Sequence, residues 1–204
     1  MTPAQGDAEL TKKAILDAAE GVFLEQGFAR APMSEIARRA GVAKSLLHHH
    51  FGSKQSLWTK VKRRRFTVYE EQQLRMLEES EPHVGLLRES IITLFNFMKS
   101  NPELVRIMAW VYLERDTDPC LETHKELTTR GAEVIQKAQE EGLLRKDIDA
   151  SSILITFIGI IQHYFQEHSH YRQEFKFEGI SNDEMDERFL DDFLKIYMEG
   201  VLPR

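Results

Sequence analysis

The sequence of 204 residues contains one cysteine, Cys120, and no apolar stretch long enough to span a membrane. One thiol cannot close a disulfide within the chain, which agrees with a reducing compartment. The residues after Met1 also lack the charged and apolar segments of a signal peptide. We therefore expect a soluble, cytoplasmic protein in which Cys120 is an ordinary thiol near a helix start rather than a redox sensor.

The motifs of the common enzyme classes are missing as well. The sequence has no Walker-type or GxGxxG loop, no nucleophile with an adjacent base, and no pair of carboxylates in a defined frame. Acid pairs such as Asp183/Glu184 and Asp191/Asp192 fall at helix starts or on helix faces, where the helix dipole or solvent favours them. We therefore expect no catalytic site and no cofactor.

A metal site is not indicated by the eight histidines. In the run His48–His50, consecutive helical side chains point about 100° apart, so the three rings cannot converge on one ion. His163, His168 and His170 are better spaced, but no Cys or carboxylate set lies in register with them. Solvated or core histidines are the favoured interpretation, and we predict no metal.

Excess positive charge is confined to the first third of the chain. The net charge is −6, yet residues 1–65 hold 12 Lys and Arg against 6 Asp and Glu, and the remaining residues hold 15 against 27. Only the first third is therefore suited to a polyanion. The acidic remainder would be repelled by DNA.

Helical periodicity runs along almost the whole chain, and no alternating strand pattern interrupts it. We predict an all-α protein of about nine helices, without repeats or low-complexity tracts. Helix six is apolar nearly all round from Leu104 to Leu113, which predicts burial on several sides. The predicted boundaries after the fourth helix are 83–99, 103–114, Asp118-Pro119 to Gly142, a helix capped by Asp149, a polar loop over 168–181, and a last helix after Asn182.

The stretch Ser34–Lys54, SEIARRAGVAKSLLHHHFGSK, predicts two short helices separated by Gly41. The second helix spans about 43–50. Its side chains divide into a packing arc and an exposed arc on opposite sides. The packing arc holds Leu47, His50 and Phe51, and the exposed arc holds Lys44, Ser45, His48 and His49. A cation, a hydroxyl and two imidazoles on such a helix are what a helix-turn-helix presents to the DNA major groove.

A third helix precedes this pair. In TKKAILDAAEGVFLEQGF the apolar residues from Ile15 to Phe23 form one stripe along a predicted helix, and Gly27 ends that helix. The runs AILDAAEGVFLEQGF and MSEIARRAGVAKSLLHHHFGSKQSL closely resemble the amino-terminal domain of the TetR family of transcriptional regulators. The resemblance covers roughly residues 10–58 and implies a three-helix DNA-binding domain over 9–69, with a recognition helix at about 43–50. It also implies a ligand-binding and dimerisation domain over 70–204, linked through helix four. Residues 1–8 are polar, with Pro3 and Gly6, and predict a flexible tail.

The sequence departs from the family pattern at several positions. Ala31 and Pro32 stand where the family often has a Thr or Ser that caps the helix and contacts a phosphate, and neither residue has a hydroxyl for that contact. Pro32 nevertheless suits a first helical position. Leu46 replaces a small polar residue and either touches a thymine methyl or extends the packed face, and His48 replaces a frequent Tyr. The residues that the resemblance assigns to DNA are Lys44, Ser45, Leu46, His48, His49 and Lys54.

Two further regions carry charge or shape of interest. The basic run Lys60–Arg65, KVKRRR, lies about ten residues beyond Lys54, so a solvated or acid-paired face is favoured over DNA contact.

Polar and aromatic residues among apolar runs are candidates to orient a ligand, with plain core as the alternative for each. These candidates are Phe66, Asn96, Arg106, Trp110, Glu114, Phe157, Gln162 and His163.

The last two helices have more apolar surface than one subunit needs, which predicts a homodimer through a four-helix bundle. The predicted interface residues are Ile155, Ile158, Gly159, Gln162, Phe189, Phe193, Ile196 and Tyr197. We therefore predict a homodimeric repressor that binds a palindromic operator in double-stranded DNA and is released by a small, largely apolar or amphipathic effector. The alternative is a helical ligand-binding or scaffold protein with a degenerate DNA-binding module.

Overall fold

The computed structural model describes residues 3–79, 84–115, 122–175 and 179–203, and within these ranges all regular structure is helical. The predicted all-α fold is confirmed. Cys120 and the predicted start of helix seven at Asp118-Pro119 lie outside the described residues. The helices are α1 Pro3–Arg30, α2 Met33–Ala40, α3 Lys44–Phe51, α4 Lys54–Glu79, α5 Val84–Ser100, α6 Pro102–Leu113, α7 Glu122–Glu140, α8 Ala150–Glu174 and α9 Asn182–Val201.

Glycines with positive φ set the first turns of the chain. Gly27 adopts φ 74° and ψ 173° inside α1, a conformation that is essentially restricted to glycine, and so breaks the helix where the sequence predicts its end. Gly41 is left-handed at the end of α2, and the next amide, that of Val42, donates to the carbonyl of Ala37 over 3.0 Å. This tight corner brings α3 directly after α2.

The chain divides into two compact units, and the first is discontinuous in sequence. It takes the residues up to Thr67 together with the stretch that begins at Arg106, whereas the second takes Val68–Val105 and the residues from Glu122 onward. The sequence did not indicate that the last two thirds of α6, from Arg106 onward, belong to the first unit. Helices α4 and α6 each contribute to both units.

The core of the first unit is built around an aromatic cluster. The ring of Trp58 makes an edge contact with Phe23, with centroids 4.9 Å apart, and stacks on Phe28 at 6.0 Å. Trp58 and Phe23 are almost completely buried, as are Ile36 of α2 and Leu47 of α3. The first four helices therefore share one apolar core, which gives α3 a fixed base.

The core of the second unit is aromatic and contains one buried acid. The ring of Tyr164 stacks on Phe189 with centroids 3.7 Å apart, and both lie near Phe95 of α5. Asp186 is only 3% exposed beside this cluster. Its carboxylate accepts hydrogen bonds from the Tyr164 hydroxyl at 2.8 Å and from the His168 Nε2 at 2.9 Å. These contacts join α8 to α9.

Three sequence predictions differ from the structure. The tail predicted over 1–8 is helical from Pro3, because proline is favourable in a first helical turn. The polar loop predicted from residue 168 begins later, since α8 continues to Glu174, held by the bonds of His168 to Asp186 and of Arg172 to the carbonyl of Ile180. The predicted burial of α6 on several sides does not extend to its end, where Leu113 is 66% exposed.

Candidate nucleic-acid interface

The α2–α3 pair presents the polar arc that the sequence predicts. Leu47 and Phe51 are buried and anchor α3 on the core. Leu46 is 38% exposed, so it does not extend the packed face. The solvent-exposed residues on α3 are Lys44, Ser45, Leu46, His48 and His49. The helix therefore offers one cation, two imidazoles, a hydroxyl and an apolar side chain to the exterior.

The ring of His48 has a defined orientation on this surface. Its Nδ1 lies 2.8 Å from the carbonyl oxygen of Gly52. Because a carbonyl oxygen only accepts hydrogen bonds, Nδ1 must carry the proton of the neutral ring. The other nitrogen, Nε2, then has a lone pair in the neutral ring and becomes a donor only when the ring gains a second proton.

Lys54, at the first position of α4, is held by its own domain. Its Nζ donates to the carbonyl oxygen of Ala29 over 3.0 Å and lies 4.8 Å above the ring centre of Phe28. Partial burial lowers the pKa of Lys54, and the negative charge of Glu114 opposes that shift. The side chain is thus oriented by a carbonyl and an aromatic ring.

The other face of α2 is an ion-pair network. Arg38 and Arg39 both donate to the carboxylate of Glu35, and Arg39 also forms two bonds of 2.6 Å with Glu25 of α1. The hydrogen bonds from Arg38 and then Arg39 lower the pKa of Glu35 to about 2. Arg39 therefore joins α2 to α1 through Glu25, whereas Arg38 is paired with an acid of its own helix. Part of the positive charge near the turn is thus neutralised by acids of the protein.

Acid pairing accounts for part of the basic run on α4 as well. Arg64 donates to Asp17 over 2.5 Å, and Arg65 forms an ion pair with the buried carboxylate of Glu20. Lys62 is buried with its Nζ 5.4 Å from the ring centre of Trp58. The favoured interpretation of an acid-paired face is confirmed for Arg64 and Arg65.

Ala31 and Pro32 lie at the corner before α2. Ala31 is buried in the core, and Pro32 occupies the cap position, one residue before the first helical residue, Met33. No side chain caps this helix end. The carbonyl of Pro32 instead accepts the amides of Glu35 and Ile36.

The predicted ligand-orienting residues are divided between the two units, and several have other partners. Phe66 is buried in the first unit, which also contains the exposed Arg106. In the second unit, Phe157 packs against Tyr197, Asn96 is exposed, Gln162 is half-buried, and the exposed His163 shares a hydrogen bond with Tyr171. None of the predicted residues lines the open pocket of about 430 Å³ on α7, which is formed by Lys125, Glu126, Thr129, Arg130 and Glu133.

Trp110 and Glu114, two further ligand candidates, have a structural role in the first unit. A Cβ on Gly27 would lie 2.7 Å from the Trp110 ring and 2.7 Å from the Glu114 carboxylate. The Trp110 Nε1 donates to the carbonyl of Leu24 over 3.3 Å, and Glu114 accepts the amide of Ala29 over 3.0 Å. This docking could not be predicted from the sequence because the hydrogen-bonded partners are 85 and 86 residues apart. The only local signal was the glycine itself.

Helices α8 and α9 expose apolar side chains at the predicted dimer surface. Ile155 is 68% exposed and Ile196 is 73% exposed. A Cβ added at Gly159 would meet no atom within 4 Å, so the backbone is open there. Ile158, Gln162 and Phe189 are half-buried, whereas Phe193 and Tyr197 are buried within the chain. Phe193 and Tyr197 therefore support the surface from beneath, with little area left for a partner.

The described ranges contain neither a cluster of metal-binding side chains nor a membrane-spanning helix. No group of three or more His, Cys, Asp or Glu side chains lies close enough to hold a metal ion there. Within the same ranges, every helix is too short or too polar to cross a membrane.

Comparison with known proteins identifies this architecture. Residues 15–60 match the family of bacterial regulatory proteins named tetR, and residues 88–188 match the tetracyclin repressor-like carboxy-terminal domain. The chain belongs to the TetR family. This family consists of transcriptional regulators rather than enzymes, and the resemblance noted in the amino-terminal sequence is confirmed.

Individual TetR-family relatives match over different lengths. The regulator BetI of Rhizobium meliloti is 49% identical over 55 residues, so the alignment covers 27% of each chain. UidR of Escherichia coli is 28% identical over 74% of this chain and 78% of its own length. The solved structure of KstR2, a ketosteroid transcriptional regulator of Mycobacterium tuberculosis, covers all of this chain and 97% of its own with a TM-score of 0.68, at 16% identity. The structural likeness shows a shared fold.

Proposed function

We propose that this protein is a homodimeric repressor that binds a palindromic operator through α3 and is released by a small, largely apolar or amphipathic effector. The observation that carries the proposal is the exposed polar arc of α3 on a fully buried base. The test is a gel shift with the DNA that flanks the protein's own gene. Retardation that unlabelled random DNA does not abolish supports the proposal. Equal competition by random DNA contradicts it and favours a scaffold with a degenerate DNA-binding module.

The exposed arc assigns different tasks to its two lysines. Lys44 stands on α3 itself, where side chains meet base edges or the adjacent phosphate, and Lys54 stands beside it at the start of α4, where a phosphate contact is expected. We expect Lys44→Ala to reduce operator affinity and to relax specificity, at a cost of about 1–3 kcal/mol. Lys54→Ala should weaken binding to all DNA sequences alike and reduce the slope of log affinity against log salt concentration by about one unit. Fluorescence anisotropy on operator and random duplexes over a salt series distinguishes the two effects.

The tautomer of His48 predicts a proton uptake on DNA binding. Phosphate oxygens only accept hydrogen bonds, whereas the neutral ring offers them a lone pair at Nε2 because Nδ1–H is bonded to Gly52. Contact between Nε2 and the DNA backbone therefore requires the doubly protonated ring, so DNA binding should be accompanied by uptake of a proton. Titration calorimetry in buffers of different ionisation enthalpy measures the uptake directly. The uptake should decrease in His48→Gln but not in His163→Gln, and an equal uptake in wild type and His48→Gln would contradict the assignment.

The exposed apolar side chains of α8 and α9 support dimerisation through these helices. A dimer is also needed because one three-helix DNA-binding domain covers too few base pairs for useful specificity. A two-fold dimer also requires a palindromic site. We expect Ile155→Glu to dissociate the dimer because it places a charge in an apolar interface. Val68→Glu is a matched control, since Val68 on α4 is 65% exposed and Ile155 is 68% exposed. Sedimentation at micromolar concentration should find monomers only for Ile155→Glu, and dimers of both variants would refute this interface.

Regulation requires that the effector bind the DNA-free and DNA-bound states with unequal affinity. Helices α4 and α6 are the structural candidates to carry the signal, because both contribute residues to the two units. A coupling free energy of about 1–3 kcal/mol would change DNA affinity roughly 5- to 150-fold. Apolar effectors are supported by the aromatic core of the second unit, which includes Phe95, Tyr164 and Phe189.

A further inference from the structure

The end of α6 is connected to Lys54 by a continuous chain of hydrogen bonds. The carboxylate of Glu114 accepts the amide of Ala29 over 3.0 Å, and the carbonyl of Ala29 accepts the Nζ of Lys54 over 3.0 Å. All three residues belong to the first unit. The carboxylate of Glu114 therefore binds the N–H of Ala29, and the ammonium group of Lys54 binds the C=O of the same residue.

The ammonium group of Lys54 is oriented by these contacts, but they do not occupy all of its hydrogen-bond donors. An ammonium has three N–H groups. One is bonded to Ala29, and the cation also lies over the ring of Phe28. At least one N–H is then available for a phosphate. A free lysine side chain must lose rotamer entropy when it binds, whereas a side chain that is already oriented loses less.

Glu114 acts on Lys54 in two ways. Its carboxylate accepts the amide of Ala29 and so fixes this residue just after the break at Gly27. Because Ala29 is fixed, its carbonyl oxygen is held in place to accept the hydrogen bond from Lys54. Its negative charge also favours the charged form of Lys54, opposing the effect of burial. Trp110 fastens the same helix through its bond to Leu24, so the position of Glu114 is set by α6 and not by the loop alone.

We propose that Glu114 is a positioning residue for DNA binding, which holds Lys54 ready for a phosphate through the peptide of Ala29. The inference rests on the proposed function, because it requires that Lys54 contact DNA. It adds a route for regulation, since the first residues of α6 belong to the second unit. A shift of α6 that withdraws Glu114 would release Lys54 without any change in α3.

The test is a double-mutant cycle between Glu114 and Lys54, measured as affinity for a random-sequence duplex over a salt series. Glu114→Ala should weaken binding about 2- to 10-fold, the loss expected when one ordered side chain becomes free. It should also reduce the salt slope toward that of Lys54→Ala. Glu114→Gln should largely restore binding because the amide oxygen still accepts from Ala29. In the Lys54→Ala background, Glu114→Ala should cause no further loss.

Each outcome of the cycle is decisive. Hydrogen exchange at the Ala29 amide confirms that Glu114→Ala removes the bond while the protein stays folded. An equal loss in both backgrounds, or no loss in either, would overturn the positioning role while DNA binding itself stands. Failure of the wild-type protein to bind any duplex would overturn both this inference and the proposed function. Glu103→Ala, a substitution of an exposed acid at the other end of α6, is the control and should leave affinity unchanged.

Discussion

Asp186→Ala is expected to lower the free energy of unfolding by about 3–5 kcal/mol, because it removes one partner of a buried charged network. Asp186 is the point where α5, α8 and α9 meet. Its carboxylate accepts from Tyr164 and His168 and lies 3.3 Å from the Nζ of Lys99. The substitution would leave a hydroxyl, an imidazole and part of an ammonium without this acceptor inside the second unit.

The contacts around Asp186 indicate how much of the lost free energy of unfolding depends on the charge of its carboxylate. Burial, and then the hydrogen bond to Asp186, raises the pKa of the Tyr164 phenol, so that hydroxyl remains a donor. Lys99 has a second acid, Asp183, at 2.7 Å, and therefore keeps a partner. Asp186→Asn preserves an oxygen for one of the neutral donors and should cost less than Asp186→Ala.

Chemical denaturation of the dimeric protein at fixed concentration measures these differences. Asp192→Ala is the matched control, because Asp192 pairs only at the surface, with Lys195, and such pairs contribute little. If Asp186→Ala and Asp192→Ala lost the same stability, the buried network would contribute nothing beyond an exposed ion pair. The proximity of the network to the proposed dimer surface also predicts weaker dimers in Asp186→Ala.

Gly27→Ala should be the most damaging single-methyl substitution in the DNA-binding unit. The backbone of Gly27, at φ 74° and ψ 173°, is costly for any residue with a side chain, by about 1–3 kcal/mol. The added carbon would also approach both Trp110 and Glu114 to 2.7 Å, so the end of α6 must move. Overpacking of this kind adds about 1–3 kcal/mol. DNA affinity should decrease with stability because Glu114 is displaced.

The control for Gly27→Ala lies on the same helix. Gly21 is inside α1, and a Cβ there would make only an ordinary 3.8 Å contact with Arg39. Alanine is the better helix former by about 1 kcal/mol, so Gly21→Ala should be neutral or stabilising. Thermal unfolding of both variants compares one methyl in two settings on one helix. A stable Gly27→Ala protein would mean that Trp110 and Glu114 do not dock as described.

The fold and the DNA-facing arc follow from local patterns. Helical periodicity, the turn glycines Gly27 and Gly41, and the 100° step of side chains around α3 act within a few residues of one another. The exposed positions of Lys44 and His49 and the buried position of Leu47 could therefore be predicted without knowledge of the tertiary structure. The acid pairing of Arg64 was favoured because too much helix separates it from Lys54.

Partners that are distant in sequence could not be predicted in this way. Trp110 and Glu114 looked like ligand-orienting residues because a polar group among apolar neighbours has the same pattern whether it binds a ligand or a backbone amide. Asp186 was not distinguished from the surface acids near it, since its burial depends on the approach of α5 and α8. Lys54 was predicted at a phosphate, but its bond to Ala29 comes from the break at Gly27 and not from its own helix.

The discontinuous first unit affects how regulators of this kind can be recombined. A chimeric regulator with a single junction would join the DNA-binding residues of one protein to the second unit of another. A cut at residue 67 would transfer α1 to α3 and about half of α4 but leave behind the stretch that begins at Arg106. Gly27 would then meet a foreign α6 in place of Trp110 and Glu114. A working graft therefore needs two exchanged segments, with the Trp110–Glu114 turn moved together with the head it supports.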